Sequence, residues 1–216
     1  MTGESKVSTK DVKSVAESEL ESKILFFRTK SIFLVNTNKI RENLLERFPQ
    51  IEEVEAHKGY PDALNLLIIE RKEIGIFCRD INCFLIDHEG VIFENASSES
   101  PLLKFQNQIF IGELNLREKV IEKDLLTSIL QIESKLREDL KIPIKEVSIV
   151  SPERVNVKTA DGWEIYLNIK GDLNWQIAEL AAILENRIPL EKRKNLKYID
   201  LRFDKVYIFP ENYADL

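Results

Sequence analysis

The sequence predicts an α+β protein in which two helices and a small sheet precede a larger mixed or antiparallel β domain. Three observations support this fold class. Apolar residues recur at helical spacing near the start of the chain, apolar and polar residues alternate through most of the remainder, and one long amphipathic pattern interrupts that alternation. A chain of 216 residues is long enough for two modest domains, each with its own core.

Two helices are predicted in the first quarter of the chain. Ser8 is a suitable N-cap for a helix that continues to about Lys23, and Val7 before the cap can act as a hydrophobic staple. Thr37 is expected to cap a second helix with an apolar stripe. That helix should end at Phe48-Pro49, because proline disfavours a helical conformation in the residue before it.

Strands follow these helices. Segments 51–56 and 64–69 are rich in residues that favour strands, and they flank the turn Gly59-Tyr60-Pro61-Asp62. Three more short strands, joined by polar turns, form a predicted meander. They cover residues 74–78, 83–87 and 91–93.

The rest of the chain combines two helices with five strands. A long amphipathic helix is predicted over residues 117 to about 140, because apolar residues follow one side and charged residues the other, and a further helix over about 173–186. The strands cover residues 144–150, 154–159, 163–169, 196–203 and 205–209. The final strand is a candidate docking edge, since an edge strand presents unpaired main-chain groups.

Composition and charge exclude several classes of function. The formal net charge is -6 and the pI is about 5.2, whereas nonspecific binding of nucleic acid needs clustered lysine and arginine. The longest aliphatic runs, such as 66–69, are far shorter than the roughly 20 apolar residues that cross a bilayer. We therefore expect no nucleic acid partner and no membrane span within this sequence.

The residues that usually carry catalysis are not arranged for it. The seven glycines are too widely spaced to form a phosphate-binding loop or a dinucleotide fingerprint. His57 and His88 lack a nucleophile motif, and paired carboxylates such as Glu52-Glu53 are typical of solvated faces. The sequence therefore predicts a binding protein that is not an enzyme, with no cofactor, no metal ion and no small-molecule substrate.

Cys78 and Cys83 are the only cysteines, and they flank a short connection between two predicted strands. Opposed positions of this kind can bring two sulfur atoms within bonding distance, so we favour a disulfide. Two alternatives remain open, namely free thiols in the core and a metal site that recruits His88 or Asp87. The metal site is the least favoured, because a closed zinc site needs four ligands at tighter spacing.

Short motifs mark the first part of the chain. They are Gly3-Glu4-Ser5 before the Ser8 helix, the apolar segment 32–35, Phe48-Pro49, Tyr60-Pro61-Asp62 and Glu70-Arg71-Lys72. Together they resemble the POTRA domain in the extracytoplasmic region of the FtsQ family of bacterial cell-division proteins, called DivIB in some lineages. The resemblance implies a POTRA-like domain over residues 1–72.

The family has a cytoplasmic tail, a membrane helix and a first POTRA strand before the Gly-Glu-Ser turn. We therefore expect a membrane anchor upstream of Met1, which this sequence does not include. We also expect the first strand to be absent from the small sheet, which would leave an exposed sheet edge.

Further motifs mark the remainder of the chain. They are segments 83–87 and 89–93, Asp161-Gly162-Trp163 and segment 198–203. These are similar to landmarks of the C-terminal β domain of the same family, and the last motif is the most specific. The resemblance thus covers nearly the whole chain and implies an FtsQ-type β domain over residues 73–216.

The resemblance also implies a function. It points to a non-catalytic scaffold of the divisome at the septum, held in the cell membrane by a single span, with this region extracytoplasmic. The implied partners are proteins of the FtsB and FtsL type. In the family a partner adds a strand beside the last strand of the β domain, where main-chain hydrogen bonds supply affinity and side chains set the register. The residues implied here are Lys205, Val206, Tyr207, Ile208 and Phe209.

Three residues outside that strand are also implied as partner contacts. Tyr198 and Arg202 are neighbouring anchors, and Arg154 occupies the strand region where the family places a basic contact to an acidic partner residue. Tyrosine and arginine often dominate protein interfaces, which supports these choices.

Structural roles remain open for several of these residues. Tyr198 could pack under the last helix, and Arg202 could pair internally with Asp200 or Asp204. The aliphatic residues of the last strand could face the core and leave only the main chain for a partner. A different function also remains open, that of a POTRA-type polypeptide-binding chaperone module of outer-membrane assembly or transport. It predicts further POTRA repeats, which this sequence does not contain.

Overall fold

The computed structural model describes residues 6–20, 22–24, 27–29 and 35–210. The chain divides into two compact units, Met1–Lys72 and Glu73–Leu216, and each unit has its own hydrophobic core. The predicted α+β class is confirmed. The Gly3-Glu4-Ser5 motif and most of segment 32–35 lie outside the described residues.

The first unit places helices against a small sheet. Its elements are α1 (Thr9–Leu20), β1 (Ser22–Ile24), β2 (Phe27–Thr29), α2 (Thr37–Arg47), β3 (Ile51–Gly59) and β4 (Ala63–Glu70). Antiparallel β1 and β2 form one hairpin, and antiparallel β3 and β4 form another. The core lies between the helices and the second hairpin, with Ile40, Leu44, Ile51 and Val54 buried.

The caps of the two helices partly match their predictions. The Ser8 hydroxyl accepts a hydrogen bond from Lys10 N at 3.2 Å. However, α1 ends at Leu20, and the prediction that it continues to Lys23 is wrong, because a strand hairpin follows at once. The cap of α2 is Asn36 and not Thr37: Asn36 Oδ1 accepts from the main-chain N–H groups of the next turn. Asparagine is at least as good a cap as threonine.

In its described residues, the second unit is built on one sheet of nine strands. They are β5 (Gly75–Arg79), β6 (Asn82–Ile86), β7 (Ile92–Ala96), β8 (Lys104–Asn107), β9 (Ile144–Ile149), β10 (Arg154–Thr159), β11 (Glu164–Asn168), β12 (Tyr198–Asp200) and β13 (Tyr207–Phe209). Their order across the sheet is β13-β12-β11-β10-β9-β8-β5-β6-β7. Three neighbouring pairs are parallel (β5 with β8, β8 with β9, and β11 with β12), and the other pairs are antiparallel.

Strand β8 was not predicted, although it joins the meander to the C-terminal strands. Its four residues read Lys-Phe-Gln-Asn, and only Phe105 is apolar and fully buried. So short a segment carries no alternating pattern that could be read from sequence. Parallel hydrogen bonding to β5 on one side and β9 on the other forms this strand.

Two helices contribute to the main core of this unit. They are α3 (Lys123–Glu138) and α4 (Leu173–Asn186). The core includes buried residues of both helices together with inward residues of the strands, such as Val157, Ile165 and Ile199. A 3-10 helix follows at Leu190–Asn195. The other face of β10 to β13, which points away from this core, carries polar and aromatic side chains, and we call it the open face of the sheet.

The predicted start of α3 at residue 117 is wrong by six residues. Arg117 N donates to Ile92 O at 2.6 Å, and Val120 N donates to Gly90 O at 2.9 Å. The chain before α3 therefore pairs with the start of β7. The helix begins only at Lys123, because main-chain groups of the preceding segment form hydrogen bonds with residues at the start of β7.

The final strand pair is shorter than predicted. β12 covers three residues of the predicted 196–203, and β13 covers three residues of the predicted 205–209. Segment 201–206 is a connection, because Arg202 N donates to Asp200 Oδ1 at 3.1 Å and turns the chain out of the sheet. Lys205 and Val206, predicted as part of the edge strand, lie in this connection.

Candidate functional site

The candidate site begins at β13, which forms one edge of the nine-stranded sheet. Among the described residues β12 is its single neighbour. The side chains of β13 alternate: Ile208 is buried in the core, whereas Tyr207 and Phe209 are 51% and 45% exposed. An edge strand with two large exposed aromatic side chains is suited to contact with another polypeptide.

The hydrogen bonds between β11 and β12 determine which main-chain groups of β12 face β13. Glu164 N donates to Lys197 O at 2.8 Å, and Leu201 N donates to Tyr166 O at 2.9 Å. These bonds lie on either side of Ile199, so in this parallel pair the main-chain groups of Ile199 face β11. The strand residues before and after Ile199 therefore turn their main-chain groups toward β13.

Ile208 consequently presents its N–H and C=O to the outer side of the sheet. Its register partner Ile199 faces away from β13, and opposite residues of an antiparallel pair face each other or turn away together. Phe209 O faces inward, where it accepts from Lys197 N at 2.9 Å. Within the described part of the chain, the outer edge of β13 thus offers one donor and one acceptor.

Three aromatic rings form a ladder across β11, β12 and β13. The rings of Tyr166 and Tyr198 stack with centroids 4.8 Å apart and an interplanar angle of 17°. The rings of Tyr198 and Phe209 stack at 5.5 Å and 13°. Registered pairing places these side chains on one face, where stacked aromatic pairs stabilise the sheet beyond their buried area. We call Tyr166, Tyr198 and Phe209 the aromatic ladder.

Arg154 lies at the inner end of the aromatic ladder. Its guanidinium carbon is 4.5 Å from the centroid of Tyr166, and its Nε donates to Asn156 Oδ1 at 2.8 Å. No acidic side chain among the described residues forms an ion pair with it. The Tyr166 ring and the Asn156 side-chain amide thus hold this guanidinium on the open face of the sheet.

Arg202 differs from Arg154, because it is paired within the chain. Its Nε donates to Asp200 Oδ1 at 2.8 Å, and its Nη2 donates to Asp200 Oδ2 at 2.6 Å. The Asp200 carboxylate raises the pKa of the Arg202 guanidinium above its usual range. The guanidinium also lies over the ring of Phe203, 5.0 Å from its centroid. Of the roles left open by the sequence, internal pairing with Asp200 is the one present in the structure.

The remaining predicted residues have different positions. Tyr198 is the middle ring of the aromatic ladder and lies on the open face of the sheet rather than under a helix. Val206 packs against the main core, and Lys205 is exposed in the connection before β13. The structure brings Arg154, Tyr198 and Phe209 together, through Tyr166, but leaves Lys205 and Val206 outside the strand.

Two residues of the site were not predicted. Tyr166 links Arg154 to Tyr198, and Phe203 is 52% exposed and packs its edge against Tyr207, with centroids 6.1 Å apart. Partial burial, followed by the charge of Glu164 and a hydrogen bond with it, raises the pKa of the Tyr166 phenol. The sequence did contain a signal for Tyr166. Apolar and polar residues alternate along the predicted hairpin 154–169, and this alternation places the side chains of Arg154 and Tyr166 on the same outward face.

The cysteines lie in another part of the second unit. Cys78 and Cys83 are opposite each other in the antiparallel pair of β5 and β6, and their sulfur atoms form a disulfide. The described residues contain no group of three or more His, Cys, Asp or Glu side chains that could hold a metal ion. In the same residues, no helix is both long and apolar enough to span a bilayer.

Comparisons with known proteins agree with this architecture. Residues 77–202 match the family described as cell division protein FtsQ/DivIB, C-terminal. Residues 1–71 match the family described as POTRA domain, FtsQ-type. No curated protein matches the chain. The C-terminal match alone covers more than half of the sequence, so the chain belongs to the FtsQ/DivIB family, a family of membrane-anchored, non-enzymatic scaffold proteins of bacterial cell division.

Proposed function

We propose that this chain holds a division protein of the FtsB or FtsL type by accepting one of its segments as an additional strand beside β13. The observation that carries the proposal is the outward N–H and C=O of Ile208 at an edge that has one neighbour among the described residues. In strand addition, main-chain hydrogen bonds give affinity and alternate side chains give specificity.

The side chains around this edge support a partner of defined chemistry. Tyr207 and Phe209 supply exposed aromatic surface, and such residues are enriched in the energetically important centres of interfaces. Arg154 supplies a positive charge that no described acidic residue pairs with. We therefore propose that the partner segment carries an acidic residue that pairs with Arg154.

We further propose that this region works outside the cytoplasmic membrane. The Cys78–Cys83 disulfide supports this location, because disulfides persist in oxidising compartments and are rare in the cytosol. Trapping thiols in intact cells with an alkylating reagent should find both cysteines protected until a reductant is added. Two alkylated cysteines without reductant would contradict the proposed location.

The main-chain contact can be tested by exchanging a single atom. An ester in place of the amide before Ile208, introduced by semisynthesis of the C-terminal segment, removes the outward N–H and keeps the buried side chain. The probe is the extracytoplasmic segment of the FtsB-like protein from the same organism. Because one hydrogen bond contributes about 0.5–1.5 kcal/mol, affinity should fall by about two- to tenfold.

A matched ester at Asp204 is the control. Asp204 is exposed in the connection before β13 and belongs to no strand. The control should bind the probe like the unmodified chain, and both esters should unfold at similar urea concentrations. Equal binding by the Ile208 ester and the unmodified chain would reject β13 as the docking edge.

Arg154 and Lys158 form a second matched pair. Both lie on the open face of β10, but Lys158 is opposite Glu164 in the sheet, whereas Arg154 is opposite the neutral Asn168. Arg154→Gln should weaken capture by about two- to fivefold and reduce its dependence on salt, since an exposed ion pair contributes up to about 1 kcal/mol. Lys158→Gln should have little effect. Equal losses for the two variants would show that only the overall charge matters.

A further inference from the structure

We infer that the segment added beside β13 carries a planar side chain, aromatic or arginine, at the position opposite Phe209. This inference rests on the proposed function and defines the partner residue that the edge selects. The added side chain would become the fourth member of a stack that already contains Tyr166, Tyr198 and Phe209.

The ring spacing of the aromatic ladder is close to the spacing of the strands. Phe209 lies directly opposite Tyr198, whereas Tyr166 is opposite Asp200 and stacks diagonally on Tyr198. Adjacent strands lie about 4.7–4.9 Å apart, and the two ring pairs have centroid distances of 4.8 Å and 5.5 Å. The rings are nearly parallel, with interplanar angles of 17° and 13°. A residue opposite Phe209 on a further strand would point to the same face and lie at the same spacing.

The two ends of the aromatic ladder are not equivalent. At the inner end the Arg154 guanidinium covers the ring of Tyr166. At the outer end Phe209 is 45% exposed, and within the described part of the chain Tyr198 is the only ring stacked on it. The inner end is therefore closed by a planar cation, whereas the outer end presents one open ring face.

The chemistry of a ring face restricts what can cover it. Aromatic side chains stack on such a face with an offset, and arginine stacks on it while its charge is attracted to the electron-rich surface. A carboxylate is repelled by the same surface. An aliphatic side chain covers the ring but gains no stacking. The open face of Phe209 should therefore select aromatic residues and arginine over leucine and valine.

The test is a saturation library of the FtsB-like probe, displayed with every position varied and selected on three forms of this chain. These forms are the wild type, Phe209→Leu and Tyr207→Leu. Phe209→Leu keeps an apolar side chain and removes the ring face. Tyr207→Leu is the matched control, because Tyr207 is exposed on the same strand and face but packs against Phe203 outside the aromatic ladder.

We expect one probe position at which aromatic residues and arginine are enriched about three- to tenfold over leucine on the wild type. The enrichment should disappear on Phe209→Leu and persist on Tyr207→Leu. Capture without such a position, or an enrichment that Phe209→Leu leaves unchanged, overturns this inference while strand addition stands. Failure to capture any library member rejects strand addition itself and the inference with it.

Discussion

Replacing Arg202 with methionine should destabilise the second unit and leave partner capture nearly unchanged. The Arg202 side chain donates to both carboxylate oxygens of Asp200, whose side chain is only 8% exposed. Methionine keeps an apolar side chain of similar length but leaves the carboxylate without its partner. A hydrogen bond to a charged group contributes about 1.5–3 kcal/mol, and the site is partly open to water, so we expect the free energy of unfolding to fall by about 2–3 kcal/mol.

Arg154→Met on the same face should have the opposite profile. Its side chain contributes a cation–π contact with Tyr166 and one bond to a neutral amide. Its loss should reduce the free energy of unfolding by only about 0.5–1 kcal/mol. Capture should weaken, however, because this arginine carries the charge that no described acidic residue pairs with.

Urea unfolding followed by tryptophan fluorescence measures the stability of the second unit alone. Both tryptophans of the chain, Trp163 and Trp175, lie in that unit. Capture of the FtsB-like probe is then measured on the same two variants. If Arg202→Met lost capture without a change in urea midpoint, Arg202 would be a partner anchor and its pairing with Asp200 would be incidental.

Three further predictions concern other parts of the second unit. Replacing both Cys78 and Cys83 with serine should lower the free energy of unfolding by about 2 kcal/mol, because the disulfide closes a short loop in the unfolded chain. Capture of the probe should be unchanged, because β5 and β6 are far from β13 in strand order. Urea midpoints and probe binding measure the two effects. Gly90→Ala should strongly destabilise the unit, seen as a lower melting temperature, because φ is +80° and the added Cβ would lie against Ile121 O. Glu164→Gln should lower the pKa of the Tyr166 phenol toward the usual tyrosine value, measured by ultraviolet titration, because the charge of Glu164 contributes to raising it.

The fold could be predicted where local patterns decide it. Alternation located the β3–β4 hairpin and the strands β9 to β11, and helical spacing located α4 almost to the residue. Two elements could not be predicted from such local patterns. β8 has one apolar buried residue and depends on strands on both sides, and the β1–β2 hairpin follows α1 with a single residue between them.

The candidate site could be predicted only in part for a similar reason. The motif resemblance pointed to Tyr198, Arg202 and the final strand, which are close in sequence. Tyr166 was missed because its role depends on the parallel pairing of β11 with β12, two strands separated by α4 and the 3-10 helix. No local pattern indicates which distant strand will lie beside β11, so the aromatic ladder became visible only from the register.

If β13 is the docking edge, as we propose, its shortness requires that side chains determine which segment binds there. A long open edge accepts almost any extended chain and promotes aggregation, and natural sheets limit this risk with short edge strands. β13 has three residues, and only Ile208 turns its main-chain groups outward. A single donor and acceptor cannot distinguish one segment from another. On the proposed mode of binding, the selectivity of this edge therefore depends on the open ring of Phe209, the exposed Tyr207 and the charge of Arg154.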